Sequence, residues 1–427
     1  MEAGLISVDR WAEGSQSYFL THLHSDHTNG LSPKWSRGPL FCSRITAKLF
    51  PCKFPGFSLS LLRVLELGIW YHVPLVSSLT GSETVVSVMA IDAQHCPAGA
   101  VMYLFRGAFG FMLYTGDFRW EASSEKAEMG RKMLLSALNG MKVDTLHIDN
   151  TYCNPSYSFP SRKGAAKQVI DVIAAHPEHD IIIGIDNLGK EDLLVYIAHV
   201  LNIKIWVWPE RLQIMHLLGF HDIFTTKTSL TRVRAVPRYS FSIETIEDMN
   251  EMRPTIGIMP SGLPWVVGSV DRSTRFFSPP LNSVQKNCSW NINEERDNPS
   301  KGLHLLIYSI PYSDHSCFSE IQDFVNLVQP ANMRGIVSST SCYIDPRYFF
   351  GRQSNYLNSL RESFEWEEGS DRLKSIRKKL DYGRYKIAQK CEKSPRQTRV
   401  DFSCGRVRRV RRKKRGAKIL EDQRNDG

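Results

Sequence analysis

A chain of 427 residues is longer than one compact core needs, so one large domain or two intertwined ones are expected. Its net charge of +10 is unevenly spread: residues 352–427 hold 23 Lys/Arg against 11 Asp/Glu, a net of +12, which leaves about −2 for residues 1–351. The basic balance belongs to the C-terminal segment, and a uniformly basic folded body is excluded.

Nine scattered cysteines form no CxxC pair, which argues against a disulfide framework and fits a reducing compartment. The opening MEAGLISVDRW lacks a basic region followed by an apolar one, so no signal peptide is expected. The most apolar stretch, Phe57–Val76, contains Arg63, Glu66 and His72. Such charges are costly at bilayer depth, so no membrane association is expected. No internal repeat is visible.

In chain order, apolar runs predict strands at Thr84–Asp92, Val101–Arg106, Phe109–Asp117 and Thr145–Asn150. From Ser161 the pattern alternates. Helical spacing over Ser161–Ala175 is followed by a buried strand at Asp180–Asp186, a helix at Gly189–Leu201 and a strand at Ile203–Trp208. Glu210–Leu218 is again helical, Thr255–Met259 and Leu303–Ile310 are strands, Cys317–Val328 is a helix and Arg334–Ser338 a strand. This alternation predicts an α/β architecture with largely parallel strands in its middle. Asp271–Lys301, polar and rich in Asn, Ser and Pro, is expected to be a long loop. The segment from Arg352 onward is expected to be mostly disordered apart from a basic helix near Asp371–Gln389.

The chemistry concentrates in THLHSDHTNG. His22, His24, Asp26 and His27 form an HxHxDH motif directly after the apolar run Tyr18–Leu20. In a loop leaving a strand, that spacing lets two pairs of side chains point at two neighbouring positions, and imidazole with carboxylate suits zinc or a similar divalent ion. Three further residues stand at strand ends: His95 in DAQHCPAG, Asp117 in LYTGDFR and His315 in IPYSDHSC. Taken singly, each would be an ordinary structural residue.

In this order, with IDNT and NLGKE between, they resemble the metallo-β-lactamase fold carrying a β-CASP insertion. Within that superfamily the chain resembles the DNA-repair nucleases of the Apollo and Artemis type, the Apollo branch most closely. THLHSDHTNGLS, LYTGDFRW, LHIDNTYCNP, NLGKE and IPYSDHS carry the likeness, which spans about residues 5–345. It implies an αββα sandwich in two pieces, residues 1–150 and 300–350, with a β-CASP α/β domain at 151–299 and a basic tail at 351–427. It further implies that His22, His24 and His95 hold one metal with Asp117 bridging, and that Asp26, His27, Asp117 and His315 hold a second. The cofactor would be one or two zinc ions, with magnesium or manganese as alternatives in the second position. Asp9 would buttress the HxHxDH loop rather than bind metal. Asp26, His27, Asp117 and His315 would then serve catalysis, activating water for phosphodiester hydrolysis.

Free N–H groups at a helix N-terminus attract phosphate, and the resemblance makes Lys190 and Gly189 part of a pocket for a 5′-phosphate, lined also by Asp149 and Thr151. Three positions depart from the family pattern. Arg234, in RVRAV, stands where relatives carry a histidine; Pro51–Tyr71 matches the family poorly; and Ala98 replaces a glycine next to His95.

The run Arg406–Arg415, RVRRVRRKKR, has eight basic residues in ten and reads as a nuclear-localisation signal or nucleic-acid clamp. The expectation is a nuclear 5′→3′ DNA exonuclease of cross-link and break repair. Its partners would be single-stranded or 5′-phosphorylated DNA and other repair proteins. An Artemis-like endonuclease, an RNA-processing β-CASP nuclease and a catalytically dead DNA-binding scaffold remain alternatives.

Overall fold

The computed structural model describes residues 5–77, 81–262, 306–337, 343–351 and 417–419. The expected loop at Asp271–Lys301, the basic helix at Asp371–Gln389 and the run Arg406–Arg415 lie outside these.

The chain opens with β1 (Ile6–Val8), β2 (Ser17–Phe19), β3 (Leu40–Ser43), α1 (Arg44–Lys53) and β4 (Leu62–Leu65). There follow β5 (Trp70–Val76), β6 (Glu83–Asp92), β7 (Val101–Gly107), β8 (Gly110–Tyr114), α2 (Glu125–Leu138) and β9 (Thr145–Ile148). The middle comprises α3 (Arg162–Ala175), β10 (Asp180–Ile185), α4 (Glu191–Leu201), β11 (Ile205–Trp206), α5 (Pro209–Leu217), β12 (Phe224–Thr225), β13 (Val233–Pro237), α6 (Ile243–Met252), β14 (Thr255–Pro260) and β15 (Leu306–Ile310). Last come α7 (Phe318–Val328), β16 (Asn332–Gly335), α8 (Arg347–Phe350) and β17 (Ala417–Ile419). Residues 347–413, with α8, form a separate unit from the rest of the chain.

Three sheets result: β17-β1-β2-β3-β4, β16-β9-β8-β7-β6-β5 and β12-β11-β13-β10-β14-β15. The first two pack face to face through Ile6, Val8, Phe19, Val86, Val88, Tyr103 and Phe105. Helix α1 lies outside on β3 and β4, and α2 outside on β6, so the layers read helix, sheet, sheet, helix. Four helices start where a serine hydroxyl can accept a free N–H: Ser43 from Thr46, Ser124 from Ala127, Ser161 from Gly164 and Ser242 from Thr245. The middle sheet is parallel throughout. Helices cover it, so β10 and β14 are buried at every residue, the pattern expected of strands enclosed on both faces.

Several boundaries differ from the sequence reading. Strand β8 ends at Tyr114, and Thr115–Asp117 form a loop whose turn uses Gly116 at φ +57°. There a Cβ would lie 2.8 Å from the Thr21 methyl, so glycine is required. The strand expected at Arg334–Ser338 lies at Asn332–Gly335. Beyond Gly335 the Asn150 side chain replaces a neighbouring strand: its Oδ1 accepts from Val337 N–H (2.8 Å) and its Nδ2 donates to Val337 carbonyl (3.1 Å). Pro51–Tyr71 resolves into the end of α1, β4 and the start of β5. Strand β15 pairs with β14 from Ile256↔Leu306 to Pro260↔Ile310, so the chain leaves the middle sheet after Ile310, beyond the 299/300 division drawn from the resemblance. Arg234 sits mid-strand on β13, where its guanidinium pairs with Asp180 at 3.2 Å.

Candidate metal centre

Each ligand-type residue lies on a loop leaving a strand: His22–His27 after β2, His95 after β6, Asp117 after β8, Asp149 after β9 and His315 after β15. The HxHxDH loop is anchored by Asp9, a buried residue at φ +49°. Its Oδ1 accepts from Thr21 N–H (2.9 Å), and its Oδ2 accepts from Thr21 hydroxyl (2.7 Å) and His27 Nδ1 (2.7 Å).

Three imidazoles turn one nitrogen each toward a common point. His24 Nδ1 lies 2.9 Å from His22 Nε2 and 3.1 Å from His95 Nε2. The opposite nitrogens meet oxygens: His22 Nδ1 at Thr21 Oγ1 (3.0 Å), His24 Nε2 at the Leu188 carbonyl (3.1 Å) and His95 Nδ1 at the Asp314 carbonyl (2.8 Å). With a ring proton spent on each of those oxygens, the inner nitrogens present lone pairs to one another. Three converging lone pairs repel unless a cation lies among them. A tetrahedral zinc with Zn–N of about 2.0–2.1 Å spaces its nitrogens about 3.3 Å apart, close to this arrangement. The residues fit a divalent ion.

Asp117 Oδ2 stands 3.9 Å from His22 Nε2, 3.8 Å from His95 Nε2 and 3.9 Å from His315 Nε2, while its Oδ1 is 3.2 Å from His27 Nε2. One carboxylate thus joins three ligand groups: His22, His24 and His95; Asp26 and His27; and Asp149 and His315. His27 Nε2, 3.2 Å from Asp117 Oδ1, also faces Asp26 at 4.0 Å, so a second ion would find an imidazole nitrogen between two carboxylates.

The electrostatics favour neutral ligands in the first group. Burial, reinforced by the neighbouring imidazoles of His27, His24 and His95, holds His22 well below the usual histidine range. Burial lowers His24 as well, and burial together with His315 brings His95 down to about 3. Burial would also lower His27, but Asp117 and Asp9 outweigh it and raise this residue well above its ordinary value.

The residues assigned to a phosphate pocket have other partners. Asp149 is buried, and its Oδ2 accepts from His315 Nδ1 at 2.7 Å. Its Oδ1 accepts from Thr151 N–H (3.0 Å) and hydroxyl (2.6 Å). Both carboxylate oxygens of Asp149 are thus engaged, one by His315 and one by Thr151, which places these residues against the ligand cluster rather than free for a phosphate. At the start of α4, Gly189 N–H donates to Glu191 Oε1 (2.8 Å) and Glu191 pairs with Arg211 (2.9 Å), both side chains fully buried. Lys190 is 7% exposed, and its Nζ meets Asp314 Oδ2 at 2.7 Å. The α4 start nonetheless lies beside the metal ligands: the Gly189 Cβ position is 3.8 Å from His24 Nε2.

Asp314 was missed in the sequence although it sits inside SDHS. Its carbonyl holds His95 and its carboxylate holds Lys190. Burial would raise its pKa, but Lys190 and Arg162 dominate and keep it well below the usual carboxylate range. The Leu188 carbonyl was equally hidden, because a backbone ligand support leaves no trace in residue type.

Residues 220–341 match the family model described as DNA repair metallo-beta-lactamase. The chain is 36% identical over 383 residues to 5′ exonuclease Apollo of Gallus gallus, covering 87% of this chain and 71% of that protein. It is 38% identical to 5′ exonuclease Apollo of Rattus norvegicus, covering 79% of this chain, and spans about half (54%) of that relative's length. The DNA cross-link repair protein SNM1 of Arabidopsis thaliana is 29% identical over 74% of this chain and 60% of its own. With 36% identity to that Gallus gallus relative over 87% of its own length, the chain belongs to the DNA repair metallo-β-lactamase family.

Proposed function

We propose that this protein is a metal-dependent nuclease of DNA repair, and more finely a 5′→3′ exonuclease acting on interstrand cross-links and double-strand breaks. The observation that carries the reading is the junction of two features: a cradle of imidazoles from His22, His24 and His95 around Asp117, and the loop Leu188–Lys190 that abuts it through His24. The names of the relatives, 5′ exonuclease Apollo and SNM1, support the DNA substrate and the polarity.

In this reading His22, His24 and His95 hold one ion, Asp117 is shared, and Asp26, His27 and His315 hold a second. Zinc suits the imidazole-rich first position, and zinc, magnesium or manganese the second. When bound, such ions supply Lewis acidity toward water and a phosphodiester. The protein's own part is positioning: Thr21, Leu188 and Asp314 fix the three ring orientations, Asp9 fixes His27, and Asp149 fixes His315. Lys190 offers positive charge where a terminal phosphate would stop the strand. The run Arg406–Arg415 supports nuclear residence and added affinity for DNA, with other repair proteins as partners.

A second reading, an Artemis-like endonuclease, is favoured by one fact: Lys190 is already paired with Asp314, and the Gly189 N–H with Glu191. The test is cleavage of single-stranded DNA carrying 5′-phosphate or 5′-hydroxyl, by the wild type and Lys190→Ala. Stepwise mononucleotide release with a 5′-phosphate preference that Lys190→Ala erodes supports the exonuclease. Internal cuts indifferent to the 5′ end support the alternative.

A further inference from the structure

The turn that follows β13, Arg238–Ser240, takes no part in holding the metal ligands, yet it lies beside the strand end from which the chain runs to them. Strands β10 and β13 run parallel in the register Ile185↔Pro237, so Arg238 begins level with Asp186. From there the chain runs to Leu188, which caps His24, and to Lys190, which meets Asp314. Arg238 Nη1 lies 3.9 Å from Asp186 Oδ2. The turn therefore sits at the carboxyl ends of the parallel strands, where open α/β sheets receive their ligands.

Tyr239, at the crest of this turn, is 85% exposed, so its ring contributes almost nothing to the fold. The turn beneath it is nonetheless fixed. Phe241 is 5% exposed and fills a slot that two glycines open in β10 and β14. A Cβ on Gly184 would come within 3.0 Å of Phe241 Cδ2, and one on Gly257 within 2.7 Å of its Cζ. Ile182, Ile246 and Met259 close the slot. A solvent-facing aromatic on a pinned turn, next to an arginine whose side chain is 41% exposed, matches the elements that receive single-stranded nucleic acid: a ring on which any base can stack and a cation for the backbone.

We propose that Arg238 and Tyr239 form a platform for the single strand entering the metal centre, Tyr239 stacking one nucleobase and Arg238 pairing with a neighbouring phosphate. The inference rests on the nuclease reading above and adds the surface on which the strand lies. Because the platform is fixed by the fold, the stacked base lies at a constant number of nucleotides from the 5′ end.

The test uses the full chain and 5′-phosphorylated single strands with phosphorothioate linkages, carrying 2-aminopurine at successive positions. Wild type is expected to quench the fluorescence most at one position. Tyr239→Ala should abolish that quenching and weaken binding about five-fold or more, whereas Tyr239→Phe retains both. Arg238→Gln should flatten the plot of log affinity against log salt by about 0.7. Thermal melting confirms that each variant is folded. A folded Tyr239→Ala protein that quenches and binds as the wild type does overturns the platform and leaves the nuclease reading standing. A wild type that binds no single strand overturns both.

Discussion

At the scale of single residues, Asp117 and Asp314 divide the work of the centre. Asp117 is the carboxylate common to all three ligand groups. Asp117→Asn keeps its shape and removes its charge, so bound metal should fall together with nuclease turnover. The loss should exceed the roughly 10–100-fold typical of residues that merely orient ligands. Metal analysis beside a DNA-cleavage assay measures both, and near-wild-type cleavage by folded Asp117→Asn would refute the shared-ligand role. Asp314 acts at one remove, through the His95 ring and Lys190. Asp314→Asn strands a nearly buried ammonium, which costs about 3 kcal/mol, whereas replacing both partners with apolar groups (Asp314→Leu with Lys190→Met) should recover most of that stability. Denaturant unfolding of the two variants checks this. The HxHxDH residues were legible because six consecutive positions carry four ligand-type side chains, three His and one Asp. Asp314 and the Leu188 carbonyl were not, because their roles exist only once the loop before α4 closes against His24 and His95.

At the scale of elements, apolar runs bounded by turn residues were readable down to the four-residue β9, whereas the opening strands β1, β2 and β3 were not. Strand β6 was placed within a residue from its apolar run, and helix α3 from the helical spacing of Ala165, Val169, Val172 and Ile173. Strands β1, β2 and β3 have three or four residues each, buried almost throughout, so no alternation marks them. Strand β16 was read too far along the chain because, beyond Gly335, the Asn150 side chain makes with Val337 the hydrogen bonds a strand neighbour would make. The β9/β16 pair also carries a pH-sensitive feature. His147 pairs in register with Arg334, and burial, with Arg334 adding to it, lowers its pKa to about 4. The unfolded chain, at about 6.5, therefore binds more protons between those values. This contribution to stability is complete above pH 6.5 and declines as the pH falls toward 4, by up to about 1.4 kcal/mol per unit. His147→Phe preserves ring packing on Tyr114, whose centroid lies 5.7 Å away. The variant should lose less stability than wild type between pH 7 and 5 in denaturant melts; equal losses would locate the acid sensitivity elsewhere.

At the scale of the whole molecule, charge and fold are separated along the chain. The body is near neutral, while the C-terminal 76 residues hold the basic excess, so affinity for DNA and chemistry on DNA should be separable by mutation. The structure constrains how to separate them. Strand β17 follows the run Arg406–Arg415 and pairs antiparallel with β1, Ile6↔Ile419 to Val8↔Ala417, covering an edge of the first sheet. A truncation at Arg406 removes both the charge and that cover, and an unpaired edge strand invites association with other chains. Replacing the eight basic residues of Arg406–Arg415 by glutamine removes the charge alone. That variant should keep the wild-type oligomeric state, turn over short single strands at a rate close to wild type, and bind long DNA more weakly. On single strands its salt dependence should flatten by about 0.7 for each phosphate that the run no longer neutralises. Deletion of Arg406–Gly427 should share the flattened slope and in addition self-associate, which light scattering would detect. An unchanged slope in the glutamine variant would mean that the run is only solvated charge. A deletion that keeps the wild-type oligomeric state would mean that β1 is protected without β17.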